Sequence, residues 1–341
     1  MPKPGVAVVI LNWNGKSFLE KFLPSVIQYT PDWARVVIAD NASTDDSIDF
    51  LAKHFPDLQL IQLAENLGYA GGYNAALARV EADYFVLLNS DIEVPPQWVE
   101  PVIDYLEAHP WVAAAQPKIL SWYEKQSFEY AGAAGGFIDV MAYPFCRGRI
   151  FHHLEKDQGQ YAEALEVFWA TGACLFVRAE AFQQAGGFDA AFFAHMEEID
   201  LCWRLQNLGY KVMSIPASRV FHLGGGTLPK SSPLKTFLNF RNSLWLLTKN
   251  MPARWYYPLL PVRLGLDVMA ALSFLLGGKW ADAWAVCRAH FAFFGNFRRI
   301  RSHAAHLPQK LPSGIYKGSI AFTHFIRGKK TFHEINRDRM S

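Results

Sequence analysis

The apolar run Tyr84-Phe85-Val86-Leu87-Leu88 ends abruptly in Asn89-Ser90-Asp91. It is short and follows the polar Glu81 and Asp83, which predicts a strand buried in a parallel sheet. Ligands of such sheets bind in the crevice outside the carboxyl ends of the strands. A carboxylate placed there, beside an amide oxygen and a hydroxyl, offers hard oxygen ligands of the kind Mg²⁺ and Mn²⁺ take. Taken alone, the triplet is equally good turn chemistry. Its neighbours along the sheet edge argue for more.

A first expected strand, residues 6–11, runs into Asn12-Trp13-Asn14-Gly15, and a second, 35–39, runs into Asp40-Asn41-Ala42-Ser43. A third, 58–63, is followed by Asn66-Leu67-Gly68-Tyr69-Ala70-Gly71-Gly72-Tyr73-Asn74. In a parallel sheet these ends open on one edge together with Asn89, Ser90 and Asp91, so they converge on one cleft. Asp40 has the chemistry to accept the imide N–H of uracil or thymine. The glycines of the third loop let backbone approach a ribose or phosphate closely, although Gly71-Gly72 also reads as punctuation before a helix.

Asp91 cannot enclose a cation by itself. His222 is the expected second ligand, because it follows a late strand, 211–215, and precedes Gly224-Gly225-Gly226. A lone histidine is otherwise most often structural, and the glycine run is what favours a ligand. Such a cation would neutralise a leaving diphosphate. Glu197-Glu198-Ile199-Asp200 opens a helix, where acids are stabilised by the helix dipole. Coming after Phe192-Phe193-Ala194, these carboxylates are expected at the mouth of the cleft. One of them could there take a proton from an acceptor hydroxyl as general base.

The elements that must hold these residues alternate. Helices are expected over 17–29, bent or interrupted by Pro24, over 43–55 with a Ser43-Thr44-Asp45-Asp46 start, over 70–80 and over 97–108. A fifth strand is expected at 112–116. Strands alternating with helices predict an α/β fold with a parallel sheet. From Pro117 to Trp169 the pattern degrades into aromatic and Gly-rich pieces, read as excursions around the site. A strand at 168–178, a short helix from Ala179 and a helix at 197–208 complete this part.

After about Pro233 the character changes. Residues 1–200 hold 12 Lys/Arg against 27 Asp/Glu, whereas residues 201–341 hold 21 against 4. The basic part is expected to meet an anionic surface or ligand, unless it only neutralises the acidic layer it packs on. The stretch 255–276 is apolar but interrupted by Arg263 and Asp267, which leaves an uncharged run well below the roughly 20 residues of a membrane span. Helices lying in a membrane interface, flanked by Arg298, Arg299 and Arg301, fit better. Cys146, Cys174, Cys202 and Cys287 show no metal spacing and read as reduced thiols of a cytosolic protein. The amino terminus lacks the layout of a signal peptide.

Together V-V-I-L-N-W-N-G, V-I-A-D-N-A-S-T-D, E-N-L-G-Y-A-G-G-Y-N, L-L-N-S-D and E-E-I-D-L resemble family 2 glycosyltransferases of the GT-A fold, most of all the bacterial rhamnosyltransferase-like branch. The resemblance covers roughly residues 5–225. It implies a GT-A domain, placed over 1–232, and inversion at the anomeric carbon; the change of composition makes 233–341 a helical, basic extension expected to be membrane-associated. The resemblance also implies a nucleoside-diphosphate sugar, with UDP or dTDP favoured, a divalent metal (Mg or Mn), and a glycan or lipid-linked acceptor. No nucleic-acid partner is expected, and the place of action is the cytoplasmic face of the plasma membrane, where surface polysaccharide or glycolipid is built.

Residue by residue, Asp40 matches the base-recognising aspartate, Asn89-Ser90-Asp91 the metal and diphosphate motif, and His222 the late metal ligand. Glu198 stands where the family's catalytic aspartate does, with Glu197 as the alternative. Asn12, Asn14, Asn41, Ser43, Asn66, Gly68, Gly71 and Asn74 are expected around the nucleotide. Asn89 and Glu198 both depart from the family's aspartates. Two rival readings are a sugar nucleotidyltransferase, for which Asn12-Trp13-Asn14-Gly15-Lys16 is a poor triphosphate loop, and a silent glycan- or membrane-binding protein.

Overall fold

The computed structural model describes residues 3–224, 232–302, 311–335 and 337–341. Gly225 and Gly226 of the glycine run after His222 lie outside them. The first part runs β1 (Val6–Asn12), α1 (Lys16–Tyr29), β2 (Ala34–Asp40), α2 (Ser47–His54), β3 (Gln59–Gln62), α3 (Gly68–Leu77), β4 (Tyr84–Asn89), β5 (Ile92–Glu93), α4 (Glu100–Ala108) and β6 (Val112–Ser121). Then come β7 (Gly136–Asp139), β8 (Pro144–Cys146), β9 (Arg149–Ile150), β10 (His153–Leu154), β11 (Leu165–Glu166), β12 (Cys174–Arg178), α5 (Ala179–Gln184), α6 (Glu197–Asn207) and β13 (Lys211–His222). The last part holds α7 (Pro233–Asn250), α8 (Ala253–Leu276), α9 (Trp280–Ser302) and β14 (Ile315–Tyr316).

A nine-stranded sheet in the order β11-β13-β6-β12-β4-β1-β2-β3, with β5 on the end of β13, forms the centre. Its middle strands are apolar on both faces, as strands covered by helices must be. Because side chains alternate sides, Ala7, Val9, Phe85 and Leu87 enter one core cluster. Val6, Val8, Ile10, Val86 and Leu88 enter the other.

The sheet is mixed. β4-β1-β2-β3 are parallel to one another, and β13 is parallel to β6. β12 runs antiparallel between β4 and β6, which places the expected fifth strand one position further out. β12 therefore begins where β4 ends, and Thr171-Gly172-Ala173 stand at the functional edge. The excursion after Pro117 forms a second sheet, β10-β9-β8-β7-β14, whose last strand comes from the chain's far end.

Several expected boundaries move for identifiable reasons. α1 continues through Pro24. α2 starts only at Ser47, because Ser43 is drawn into the loop after β1. α4 starts at Glu100, since Gln97 has φ 59°. β13 extends to His222, past Pro216, with a register shift between Ser214 and Arg219. α8 runs unbroken through Arg263 and Asp267 for 24 residues, so the helix is longer than the uncharged run suggested.

The carboxyl-terminal segment is tied in by Asp139, which is fully buried. Its Oδ1 accepts the N–H groups of Met141 and Tyr143, and its Oδ2 accepts that of Ile320, each at 2.9 Å. Asp139→Ala would leave three donors unsatisfied at about 1–3 kcal/mol each. We expect at least about 3 kcal/mol of lost stability in urea unfolding and faster proteolysis within residues 311–341; unchanged values for both would contradict this role.

Candidate active site

Asn12 and Asp40 end neighbouring strands in register with each other. Asn12 Nδ2 donates to Asp40 Oδ1 (3.0 Å) and Ser43 Oγ (3.2 Å), while Asp40 Oδ2 accepts the Ser43 N–H at 2.9 Å. The Asn14 N–H donates to Ser43 Oγ, and Asn14 Oδ1 accepts the Thr44 N–H at 2.7 Å. Asn41 joins the third loop, donating from Nδ2 to Asn66 Oδ1 and the Gly68 carbonyl and accepting from the Leu67 N–H, all at 3.0 Å. One polar network thus links three strand ends. Asp40 is only 2% exposed, and Asn12 Oδ1 is buried without a hydrogen-bond partner.

The third-loop glycines serve close packing within the protein. A Cβ on Gly68 would meet the Phe193 ring at 2.5 Å, and one on Gly71 would meet Leu67 at 2.9 Å. The N–H groups of Tyr69 and Ala70 donate to the Phe193 carbonyl. The close approach these residues allow is therefore to the loop before α6. Asn74 is likewise engaged at both ends, donating to the Phe188 carbonyl and accepting the Phe188 N–H. It holds the Gly186-Gly187 turn.

Asn89 and Ser90 lead to Asp91, which sits beside His222. The pairing of β5 with β13 sets His222 against Ile92, and the Leu223 N–H donates to the Asp91 carbonyl at 3.0 Å. His222 Nε2 lies 3.1 Å from Asp91 Oδ1, and Nδ1 lies 3.0 Å from Glu129 Oε2. All three side chains are buried. Burial opposes charge on the imidazole, but the two carboxylates outweigh it and raise its pKa to about 10. Burial also pushes Glu129 up, yet its hydrogen bond and charge interaction with His222 leave it below the usual range.

Asp91 oxygen and His222 Nε2 converge as an O,N donor pair, which suits Mn²⁺ better than the harder, oxygen-seeking Mg²⁺. A cation would replace the proton between them, and Glu129 would fix the imidazole from behind, as partners of metal-binding histidines do. Glu129 was not foreseen. It stands in an irregular connection, 93 residues before His222.

The acids of α6 divide by environment. Burial opposes the charge of Asp200, but Arg204 and Lys249 outweigh it and keep it ionised; the bonds are 2.8 and 3.0 Å. Glu197 and Glu198 each have an Oε2 that is buried without a partner. Burial and then the Glu198 charge push Glu197 well up, and burial raises Glu198 to about 7. Glu198 is the more exposed of the two. Both act electrostatically on Tyr69, whose hydroxyl donates to the Gly172 carbonyl at 2.6 Å. The Asn89 N–H donates to the neighbouring Ala173 carbonyl at 2.9 Å. The acid pair and the Asn89-Ser90-Asp91 turn therefore flank the same short segment.

Phe193, His195 and Met196, just before the acids, have φ of 66°, 70° and 73°. Non-glycine residues held this way cost on the order of 1–3 kcal/mol each and cluster at functional sites. Asn242 of α7 holds them: its Nδ2 donates to the carbonyls of Phe192, Ala194 and His195 at 2.8–2.9 Å. Asn242 was also missed, since it lies in the part read as a separate extension. Lys16, after β1, is paired with Asp46 and Glu20, which leaves that loop poorly suited to a triphosphate.

Comparison with known proteins gives the family and the fold. An N-acetylglucosaminyl-diphospho-decaprenol L-rhamnosyltransferase of Mycobacterium tuberculosis is 28% identical over 230 residues, covering 63% of this chain and 75% of the relative. A pre-mycofactocin glycosyltransferase of the same organism is 27% identical, covering 64% of this chain and 42% of its own. Among solved structures, GalNAc-T7 with UDP, GalNAc and Mn²⁺ superposes with a TM-score of 0.58 at 17% identity, over 76% of this chain; the chain spans 51% of that protein. The mannosyltransferase PcManGT of Pyrobaculum calidifontis, in complex with GDP-Man and Mn²⁺, gives 0.50 at 17% identity, over 89% and 85%. The fold is thus of the GT-A type. Residues 7–185, more than half of the chain, match Glycosyl transferase family 2, and the chain belongs to that family, in its rhamnosyltransferase-like branch.

Proposed function

We propose that this glycosyltransferase inverts the anomeric carbon as it moves a hexosyl unit from a UDP- or dTDP-sugar to a lipid-linked glycan acceptor, at the cytoplasmic face of a membrane. The observation that carries the reading is the pair of acids with raised proton affinity, Glu197 and Glu198, each with a buried, unpartnered Oε2. They act on Tyr69 beside Gly172-Ala173, the segment that also receives the Asn89 N–H. Asp40 and Asn12 would read the base, and Asn89 and Ser90 would line the diphosphate. A divalent cation held by Asp91 and His222 would supply charge neutralisation to the leaving diphosphate. Glu198 takes the proton of the acceptor hydroxyl. That oxygen forms the new bond to the anomeric carbon on the face opposite the departing nucleoside diphosphate, whose C–O bond breaks. The relative acting on a decaprenol-linked sugar supports a lipid-linked acceptor.

Incubation with a panel of nucleotide sugars and Mn²⁺ tests the reading. One donor should be hydrolysed slowly without acceptor and consumed rapidly with a polyprenyl-diphospho-sugar; no hydrolysis or transfer from any donor would overturn it. Asp91→Asn should lose most turnover with the fold intact. Glu129→Gln should weaken Mn²⁺ binding about 10–100-fold while much of the rate returns at saturating metal. Wild-type turnover by Asp91→Asn across a Mn²⁺ titration would remove the metal assignment.

A general base must be ionised. With the Glu198 carboxyl raised to about 7, the rate should therefore climb as pH rises through about that value. Glu198→Gln should bind donor normally, turn over at least about a hundredfold more slowly and lose this limb. A deeper loss in Glu197→Gln would transfer the role to that residue.

A further inference from the structure

α8 is apolar nearly all round, and the charges in its middle are turned away from water. Its charged pair points inward, with Arg263 1% and Asp267 0% exposed, while Met269, Leu272 and Leu276 are 64%, 48% and 92% exposed. α9 packs against it and continues the surface with Trp284, Phe291 and Phe294, exposed by 59%, 71% and 57%. A contiguous apolar face of this kind marks an interaction site. The charges around it are of one sign. Arg254, Lys279, Arg288, Arg298 and Arg299 are exposed. Of the two acids in residues 253–302, Asp267 is buried and Asp282 accepts a hydrogen bond from the Thr236 hydroxyl at 2.5 Å.

Exposed aromatics bordered by basic residues complement anionic lipid headgroups over acyl chains. A second copy of the chain would bring the same basic rim against itself, which electrostatic complementarity disfavours.

The structure also settles how such a face would meet a bilayer. α8 is 24 residues long and holds an 18-residue window with a mean hydropathy of 1.8, enough to cross a membrane by length and composition alone. Its middle is nevertheless fastened to the catalytic domain. The Arg263 guanidinium donates to Asp267 Oδ1 (3.0 Å), to the Met141 carbonyl (2.9 Å) and to Ser243 Oγ (2.8 Å). The Tyr143 hydroxyl donates to Asp267 Oδ1 at 3.2 Å, and His290 Nε2 lies 3.2 Å from Asp267 Oδ2. Met141 and Tyr143 belong to the turn between β7 and β8. A spanning α8 would carry that turn to the bilayer centre or leave the Arg263–Asp267 pair there without the Met141, Ser243 and Tyr143 groups that complete its hydrogen bonds.

We propose that the α8–α9 hairpin lies flat in one leaflet of an anionic membrane, its apolar face inserted and its Arg263–Asp267 face against the protein. This deepens the membrane placement proposed above and rests on it. It would hold the cleft at a fixed height over a lipid-linked acceptor.

Cys287 lies on the exposed face of α9, three residues beyond Trp284 and four before Phe291, and the other three cysteines are buried. A water-soluble maleimide should label the full-length protein at Cys287 in buffer. Adding phosphatidylglycerol-containing vesicles should slow labelling at least about tenfold as the face inserts. Equal labelling with and without vesicles would overturn membrane docking. So would protection in buffer accompanied by a dimer in sedimentation. Topology is read from Arg254→Cys and Lys279→Cys, each in a Cys287→Ala chain bound to sealed vesicles. An impermeant maleimide added outside should label both ends of α8. If one end labelled only after detergent, α8 would span, and the flat orientation would fail while membrane association stood.

Discussion

A buried imidazole between two carboxylates is the contact on which the rest of the site depends. Asp91 follows β4, His222 ends β13, and Glu129 lies in the connection after β6, so a single side chain binds three parts of the chain that are distant in sequence. Burying one of these charges alone would be strongly unfavourable, and burying all three is tolerable because each is partnered. The same closure brings a carboxylate oxygen and an imidazole nitrogen together at the sheet edge. The site is thus assembled by the electrostatics that hold β13 to the rest of the sheet.

A second constraint acts on the opposite side of the cleft. The loop before Glu197 carries three non-glycine residues at positive φ, and a free chain would relax from such a geometry. α7 prevents this with Asn242 on the loop carbonyls and with Lys249 and Asn250 on Asp200. Asp200 is thereby held ionised in a structural ion pair, while Glu197 and Glu198 each keep an unpartnered oxygen and raised proton affinity. Buried acids divided in this way, one paired and two not, are how a protein separates support from acid–base chemistry. Because α7 also packs on α9, the helices with the exposed apolar side chains and the loop that carries the acids share a scaffold.

Much of this was legible in the residues. The strands β1 and β4, and β2 after Arg35, are apolar runs ending in polar residues, and the edge network of Asn12, Asp40, Asn41 and Ser43 lies where β1 and β2 stop. The antiparallel β12 was not legible as such, because direction within a sheet is set by the path of the excursion before it. The second sheet escaped notice because its strands are two to four residues long, too short for a period. Glu129 and Asn242 carry no local signal, since their work is done at long range. Arg263 and Asp267 read as interruptions of an apolar stretch, yet at i,i+4 they pair and face inward, and the helix continues through them.

The most direct test of this account is pulsed EPR on Mn²⁺ bound to the protein together with a nucleoside diphosphate. If Asp91 and His222 hold the cation, the spectrum should show coupling to one imidazole nitrogen, and that coupling should vanish in His222→Ala. Bound Mn²⁺ without nitrogen coupling in the wild-type protein, or a coupling that survives His222→Ala, would contradict the arrangement proposed here.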